Sequence, residues 1–339
     1  MELYNQAGRL TDTWNLNWLT TRWSDGFILY SGNGKIQNPG TFNIQTDSGF
    51  IANGSGGVFI NTGILRKEVT SGETILGTSS GDSARNFVFL NTGSVFVDSG
   101  TLELGGFENN PTHTGSFQTA VGTKLAFESG GTGNGHTFSA GSDFSNAGTV
   151  RFGNGTATFG GTYSGAGAVE INSSAGDPDV QFNVDLTAER IDFDRGTFGG
   201  IGKVTISTLD WTEGTLSGGQ KTVNSSLSIS GTGTKNLSTI LRSNGSASWT
   251  EGSIGSTGTL ENAGSFTLAF TEATSLTPAF KNLSGATLTK FDSNDLNFNG
   301  AISNAGAIQL SLGTFNINGG YTQTGGSLVT LVTCHMSHS

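Results

Sequence analysis

Two aspartates that are spaced like a catalytic pair are the first residues in this sequence that could do chemistry. Asp192 and Asp194 alternate with apolar residues, so on a β-strand both carboxylates would point to the solvent side. Together with Asp185, they could supply the acid and base of a glycoside hydrolase or hold a metal ion. Arg190 and Arg195 offer a simpler interpretation, a solvated face on which arginines neutralise the aspartates, and we favour it.

A metal site is the second kind of chemistry that the sequence raises. Asp292, Asn294 and Asp295 could offer oxygens to calcium, but the Gly-Gly-x-Gly-x-Asp repeat of calcium-binding β-rolls is absent, which favours a turn. One cysteine and two histidines within 334–338 form a small cluster of soft ligands, although a disordered end would have the same composition. The chain also lacks a Walker loop and a dinucleotide fingerprint, so we predict neither a metal site nor a cofactor.

The elements that must position these residues are repeats of about 20 residues. Trp211-Thr-Glu-Gly returns as Trp249-Thr-Glu-Gly, and each unit holds short alternating segments separated by Gly, Ser, Thr and Asn. An asparagine recurs at intervals of 20, 18, 20 and 22 residues, at Asn224, Asn244, Asn262, Asn282 and Asn304. The pattern predicts an all-β fold, a single right-handed parallel β-helix of about 15 to 17 coils whose strands lie about 4.8 Å apart.

Stacking of the coils gives the repeated asparagines and tryptophans a role. Asparagines at one coil position would form a ladder of amide hydrogen bonds, because burying them without partners would cost roughly 1 to 3 kcal/mol each. The repeated Trp23, Trp211 and Trp249 fit either sugar-stacking platforms on the surface or an aromatic stack in the core. The core is the commoner place for such residues, but the sequence does not assign their faces.

Composition excludes several classes of protein. Charged residues make up only 12% of the chain, about half of the usual quarter, so Thr, Ser, Asn and Gln must form much of the surface. The net charge of −10 without a basic cluster argues against a nucleic-acid partner. No apolar run is long enough for a membrane span, and no export signal is present. A single cysteine rules out an internal disulfide and leaves the compartment open.

The repeats run through nearly the whole chain. No shift in composition marks a domain boundary, so we predict a continuous solenoid over residues 1–332, followed by an irregular tail at 333–339. The first repeat-like segment begins at Asn5 without a polar capping element before it. Since solenoids need covered ends, this predicts a fragment of a longer array.

The repeat units resemble those of a known group of proteins. The segments at 211–218 (Trp-Thr-Glu-Gly-Thr-Leu-Ser-Gly), 146–150 (Asn-Ala-Gly-Thr-Val) and 313–328 look like the repeats of large bacterial surface and secreted proteins. These are the β-helical passenger regions of filamentous-haemagglutinin-like and autotransporter-like adhesins. The resemblance implies export, a multimodular parent protein and a role in adhesion or in a matrix.

We therefore expect an extracellular or cell-surface scaffold, not an enzyme, with glycans or neighbouring surface fibres as partners. The alternative is a polysaccharide hydrolase or lyase of the same fold, which would need a groove around residues 185–195. A second alternative is ice binding by a flat Thr-rich face, prompted by Gly155-Thr-Ala-Thr. Ice binding would require Thr-x-Thr pairs at a fixed coil spacing.

Overall fold

The computed structural model is an all-β solenoid, as predicted. It describes residues 2–3, 8–10, 13–16, 19–30, 34–52, 57–77, 87–105, 110–129, 134–173, 176–330 and 334–336. Parallel sheets stack as about 13 turns with a spacing of about 20 residues. The sequence predicted 15 to 17 coils, and the length of a coil varies: stacked asparagines lie 23 residues apart from Asn38 to Asn61 and 30 apart from Asn61 to Asn91. The right-handed sense remains a prediction.

The chain forms two compact units, Met1–Val184 and Asp185–Ser339. The continuity of the solenoid over 1–332 therefore stays a prediction, and each unit is described by itself. In both units, successive coils place equivalent strands side by side in parallel.

The first unit has three faces. Its first face is one eight-stranded sheet of Glu2–Leu3, Thr20–Trp23, Thr41–Ile44, Ile64–Lys67, Ser94–Val97, Ser116–Thr119, Asp143–Asn146 and Thr162–Ser164. The second face contains Gly8–Leu10, Ile28–Tyr30, Phe50–Ala52, Glu73–Leu76, Thr101–Gly105, Lys124–Glu128, Thr149–Phe152 and Ala168–Ile171. The third face contains Thr13–Asn15, Lys35–Asn38, Gly57–Asn61, Phe87–Asn91, Thr112–His113, Gly135–Phe138, Gly155–Phe159 and Pro178–Phe182.

The second unit begins with three long strands, after which each coil breaks at one more corner. The long strands are Leu186–Phe193, Val204–Trp211 and Lys221–Ile229. Their first halves continue as Ile240–Ser243, Thr259–Asn262, Ala279–Asn282, Ile302–Asn304 and Tyr321–Gln323. Their second halves continue as Ser246–Trp249, Ser265–Leu268, Thr287–Lys290, Ala307–Leu310 and Ser327–Thr330. The remaining face contains Thr197–Gly199, Gly214–Leu216, Lys235–Leu237, Ile254–Gly255, Thr274–Leu276, Leu296–Phe298, Phe315–Ile317 and Cys334–Met336.

The core of each unit is built from the inward residues of alternating strands. Phe138, Phe159 and Phe182 lie at equivalent positions in successive coils of the first unit, and their ring centroids are 4.5 Å apart at both steps. All three side chains are buried. Such ring pairs contribute about 0.5 to 1.5 kcal/mol beyond the free energy of burying their area. The stacked phenylalanines therefore stabilise the in-register arrangement of the coils.

Corner glycines allow neighbouring coils to approach closely. A Cβ atom on Gly264 would lie 2.0 Å from the carbonyl oxygen of Gly245 in the adjacent coil, and one on Gly93 would lie 2.1 Å from that of Gly63. Backbone atoms cannot yield to such a contact without a shift of the coil. The Asn-x-Gly corners therefore need glycine for reasons of space.

Part of the predicted irregular tail is ordered. Cys334–Met336 pair in parallel with Phe315–Ile317, so these three residues continue the stack. Main-chain pairing does not require the Gly, Ser and Thr vocabulary of the repeat, which is why composition alone missed this strand. Residues 333 and 337–339 lie outside the described residues. Nowhere in the described part of the chain is there a helix that could cross a membrane.

We expect Gly264→Ala to destabilise the protein by about 1 to 3 kcal/mol, since the new methyl group meets backbone that cannot move freely. Gly141→Ala is the control, because the nearest atom to its added Cβ is 3.7 Å away. Urea unfolding of both variants measures the effect. A Gly264→Ala variant as stable as Gly141→Ala would contradict close coil packing at this corner.

Candidate functional site

Asp192 belongs to an ion-pair ladder on the outer surface of the second unit. Arg190 donates through Nε to Asp192 at 2.8 Å and through Nη2 to Asp210 at 2.6 Å. Asp192 and Asp210 occupy equivalent positions in adjacent coils, so the arginine bridges two stacked carboxylates. Burial raises the pKa of Asp192, and the charge of Arg190 opposes that shift.

The other two predicted acids bind different partners. The Oδ1 atom of Asp194 accepts a hydrogen bond of 3.0 Å from the hydroxyl of Thr212, and that of Asp185 accepts one of 2.9 Å from the backbone N–H of Lys203. Both contacts join one coil to the next. The structure thus brings Asp192 together with Asp210 and engages Asp185 and Asp194 elsewhere in coil-to-coil contacts.

The repeated tryptophans point into the core. Trp23, Trp211 and Trp249 are each at most 1% exposed. Each indole N–H donates to a carbonyl of the turn that follows: Trp23 to Gly26 at 2.8 Å, Trp211 to Glu213 at 2.9 Å and Trp249 to Gly252 at 2.9 Å. Their role is to fill the core and to fix the turn, so these residues are not sugar-stacking platforms.

Three of the five predicted ladder asparagines form a buried ladder in the second unit. The amide of Asn262 donates to Asn282 at 2.9 Å, and the amide of Asn282 donates to Asn304 at 2.8 Å. Each also donates to a carbonyl beyond the corner of the next coil, Thr287 for Asn262 and Ala307 for Asn282.

The other two predicted ladder residues were wrongly placed. Asn224 and Asn244 are exposed on the outside of the coil, where Asn244 donates to Asn224 at 2.9 Å and accepts a hydrogen bond of 2.8 Å from Arg242 Nε. The residue in register with Asn262 is Ser243. A shift of one residue along a strand moves a side chain to the opposite face, and spacing alone did not reveal it.

A second buried ladder lies in the first unit. Asn38 donates to Asn61 and Asn61 donates to Asn91, both at 2.8 Å. This ladder was not predicted from the sequence, although all three asparagines share an Asn-x-Gly motif that could have indicated it. In the same unit, Asn146 accepts a hydrogen bond from Thr119 and donates to Tyr163 at 2.8 Å.

Residues 292–295, which we considered as a calcium site, form hydrogen bonds within their own turn. The Oδ1 atom of Asp292 accepts hydrogen bonds from Lys290 Nζ and from the backbone N–H of Asn294, both at 2.9 Å. Among the residues that the structure describes, no group of three or more His, Cys, Asp or Glu could hold a metal ion. His338 lies outside them.

Two histidines that are distant in sequence meet in the core of the first unit. His113 Nε2 and His136 Nδ1 are 3.0 Å apart, and both side chains are buried. Burial lowers the pKa of His113, and it lowers that of His136 to about 4. Both rings are therefore neutral at physiological pH and pack with the surrounding aromatic rings.

Two buried glutamates and an arginine form a cluster that was not predicted from the sequence. Glu103 and Glu128 are only 5% and 4% exposed, and Arg151 Nη2 lies 3.3 Å from Glu103 and 2.7 Å from Glu128. Glu103 and Arg151 flank Ala126 in one outward column, and this small residue lets them meet across a coil. One oxygen of Glu103 has no hydrogen-bond partner.

The electrostatics of this acid cluster, defined as Glu103, Glu128 and Arg151, would suit proton transfer. Burial raises the pKa of Glu103 to about 7, and the charge of Glu128 adds to the shift. Burial also raises the pKa of Glu128, opposed by the charge of Arg151. A carboxyl group that titrates near neutrality can act as a general acid or base.

A regular array of hydroxyl groups covers part of the second unit. It consists of two outward columns on four successive coils, and we call it the hydroxyl face: Ser226, Ser228, Ser246, Ser248, Ser265, Thr267, Thr287 and Thr289. The segment that prompted the ice-binding interpretation does not extend in this way. Thr156 and Thr158 are flanked by Gly135 and Thr137 in one coil and by Asp179 and Gln181 in the next.

The expectation that the chain has no Gly-x-Ser-x-Gly sequence is wrong, because residues 77–81 match this motif. In a hydrolase this motif needs a strand, a sharp turn and a helix. Gly77 directly follows the strand Glu73–Leu76 of the solenoid, and residues 78–81 lie outside the described residues.

The chain matches no family model, no curated protein and no solved structure. Its resemblance to β-helical adhesins therefore rests on the repeat residues and on the solenoid fold.

Replacing Asn262 with Ala should destabilise the protein by about 1 to 3 kcal/mol, because it leaves buried groups of Asn282, Thr287 and Gly264 without a partner. Asn244→Ala, in the exposed pair, should change the unfolding free energy by less than about 0.5 kcal/mol. Thermal and urea unfolding of both variants test this. Equal losses in the two would argue against a special role for the buried ladder.

The acid cluster should make stability fall as pH rises. Because the pKa of Glu103 is raised from 4.5 to about 7 in the folded state, its contribution is complete below pH 4.5 and is lost as pH rises through 7. Unfolding measured at pH 5, 6.5 and 8 should show a smaller decline in Glu103→Gln than in the parent protein. The difference should reach up to about 3 kcal/mol.

Glu170→Gln is the matched control for this titration, since Glu170 pairs with Lys124 at 2.7 Å on the same face. We expect it to follow the parent protein across the pH series. His136 contributes with the opposite sign, because its lowered pKa costs stability as pH falls below 6.5. Comparison of variants at each pH removes that shared contribution, and identical slopes for Glu103→Gln and the parent would refute the assignment.

Proposed function

We propose that this chain is a structural and adhesive scaffold, an extracellular or cell-surface β-helical stalk or passenger segment. The observation that carries the proposal is the hydroxyl face, in which short polar side chains repeat in register over a buried apolar core. Its partners are glycans or neighbouring surface fibres. The resemblance of the repeats to bacterial adhesins supports the location outside the cell.

The mechanism is multivalent contact on a stiff support. Parallel pairing holds equivalent side chains about 4.8 Å apart, so each coil repeats the contact made by the coil before it. A single hydroxyl contact is weak, because binding exchanges hydrogen bonds to water for hydrogen bonds to the partner. Several fixed contacts, or several linked copies, raise the overall affinity through a high effective concentration.

The chemistry of the surface supports partners without strong charge. Only 12% of residues are charged, and some outward charges in the second unit pair with each other, as in the contact of 3.1 Å between Lys281 and Glu261. Such pairs on an exposed surface contribute little to binding or to stability. What remains for a partner is mainly hydroxyl and amide groups.

A tetrameric form of the protein should bind a glycan-coated surface about 100 times more tightly than the monomer. The comparison uses a biotinylated chain, alone and on streptavidin, over a glycan array in biolayer interferometry. Equal apparent affinities for monomer and tetramer, or no binding to any glycan, would speak against an adhesive scaffold.

The acid cluster in the first unit favours a second candidate function, hydrolysis or lysis of a polysaccharide. Glu103 and Glu128 have raised pKa values and one unpartnered oxygen, whereas Asp185, Asp192 and Asp194 are engaged in contacts between coils. A glycosidase needs one carboxyl group that is protonated at working pH and a second group that is ionised.

Assays for new reducing ends and for unsaturated uronides separate the two functions. We expect no turnover from the scaffold. Turnover that Glu103→Gln abolishes would establish the enzyme at the acid cluster, and turnover that Asp192→Asn or Asp194→Asn abolishes would place it on the second unit. Glu170→Gln serves as the control in each assay.

A further inference from the structure

We propose that the hydroxyl face binds the flat surface of a fibre of neutral polysaccharide. This inference rests on the proposed scaffold function, and it names both the surface and the chemical class of the partner. Ser226, Ser246, Ser265 and Thr287 form one column, and Ser228, Ser248, Thr267 and Thr289 form the other. Neighbouring hydroxyls are about 4.8 Å apart between coils and about 6.7 Å apart along a strand.

The hydrogen-bonding capacity of this face is almost unused within the described protein. Ser246 donates a hydrogen bond of 3.2 Å to the carbonyl of Ser225, whereas the other seven hydroxyls have no side-chain hydrogen bond to any described residue. The column beside it behaves differently, because Glu261 and Lys281 bond to each other. Each free hydroxyl can donate one hydrogen bond and accept two.

The face carries only short side chains, and buried residues support it. Between the two columns, the inward residues Leu227, Ala247, Phe266 and Leu288 are at most 4% exposed. Serine and threonine are short, so the face has no groove that would enclose a single sugar or a chain end. Rigid, equally spaced groups bind best to a partner that is itself flat and periodic, since neither side must reorganise.

The charge of the face and of the whole chain favours a neutral partner over an acidic one. None of the eight positions of the hydroxyl face is charged, although the same two columns carry Arg190 with Asp192, and Asp210, in the coils before it. The chain as a whole carries a net charge of −10, which disfavours acidic polysaccharides. Neutral polysaccharides present hydroxyl groups that both donate and accept, and they match this surface in chemistry.

Serine predominates on the hydroxyl face, and this composition favours a polysaccharide over ice as the partner. Five of the eight residues are serine, which lacks the methyl group that threonine adds beside its hydroxyl. The array is therefore mainly a hydrogen-bonding surface with little apolar component. A polyol surface offers direct hydrogen-bond partners for every hydroxyl, so we place a polysaccharide there, and ice binding is an outcome of the test.

The test uses the full chain and insoluble cellulose and chitin in a sedimentation assay. The variant S248K/T267K adds two lysines to the hydroxyl face, and T215K/S275K adds two lysines to outward positions on another face of the same unit. We expect the first pair to lower the apparent affinity at least tenfold and the second to bind like the parent protein. Thermal midpoints of both variants equal to that of the parent protein show that folding is unchanged.

Three results would overturn the inference: binding of S248K/T267K equal to that of the parent, equal loss in both double variants, or partition of the parent protein into growing ice without binding to either polysaccharide. Retained glycan binding by S248K/T267K would refute the hydroxyl face alone and leave the scaffold function intact. Absence of binding by the parent to any glycan, including the tetramer on the array, would refute both.

Discussion

In-register parallel stacking is the constraint on which the rest of this structure depends. Because each strand pairs with the equivalent strand of the next coil, every side chain lies about 4.8 Å from its counterpart. A residue type that is placed once must therefore be compatible with what lies directly above and below it. Phenylalanine stacks on phenylalanine in the core of the first unit, asparagine bonds to asparagine at the corners, and hydroxyl follows hydroxyl on the outside of the second. Glycine at the corners permits the close approach that this repetition demands.

Buried polar groups in this fold need hydrogen-bond partners, and the stacking of the coils supplies many of them. The asparagine ladders satisfy this condition, since each amide bonds to the next amide and to a carbonyl beyond the corner. Inward lysines meet it in another way: Lys221 donates to the carbonyls of Ser217 and Gly219 at 2.6 and 2.9 Å, and burial lowers its pKa to about 8. Glu103 meets the condition incompletely, because one of its oxygens lacks a partner. Its raised pKa is the consequence, since the protonated form needs less compensation in a buried place.

The sequence predicted the fold because the fold is periodic. Repeat length and strand alternation suffice to specify stacked parallel sheets, and the solenoid follows from them without knowledge of any distant contact. The same periodicity could not resolve a register shift of one residue, so Asn224 and Asn244 were assigned to a ladder that Ser243 interrupts. Contacts that skip a coil were also invisible, because Glu103 and Arg151 meet only where a small Ala126 separates them. The faces of the tryptophans needed the structure as well, since the indole N–H finds its partner in the turn that follows.

Alternation along a strand separates what stabilises this protein from what it can offer to a partner. Inward residues are fixed by the stack, and a change there is felt by the coils on both sides. Outward residues are held at the same spacing but are free to vary in type, so the same core can support surfaces of different repeating chemistry. In the second unit, the first coils carry paired arginine and aspartate on this surface, and their charges neutralise one another. The following coils carry the hydroxyl face, whose side chains form almost no hydrogen bonds within the described protein. Hydrogen-bonding groups that a fold aligns and leaves unpaired are open to water or to a partner, and only a partner with the same periodicity can engage them all at once.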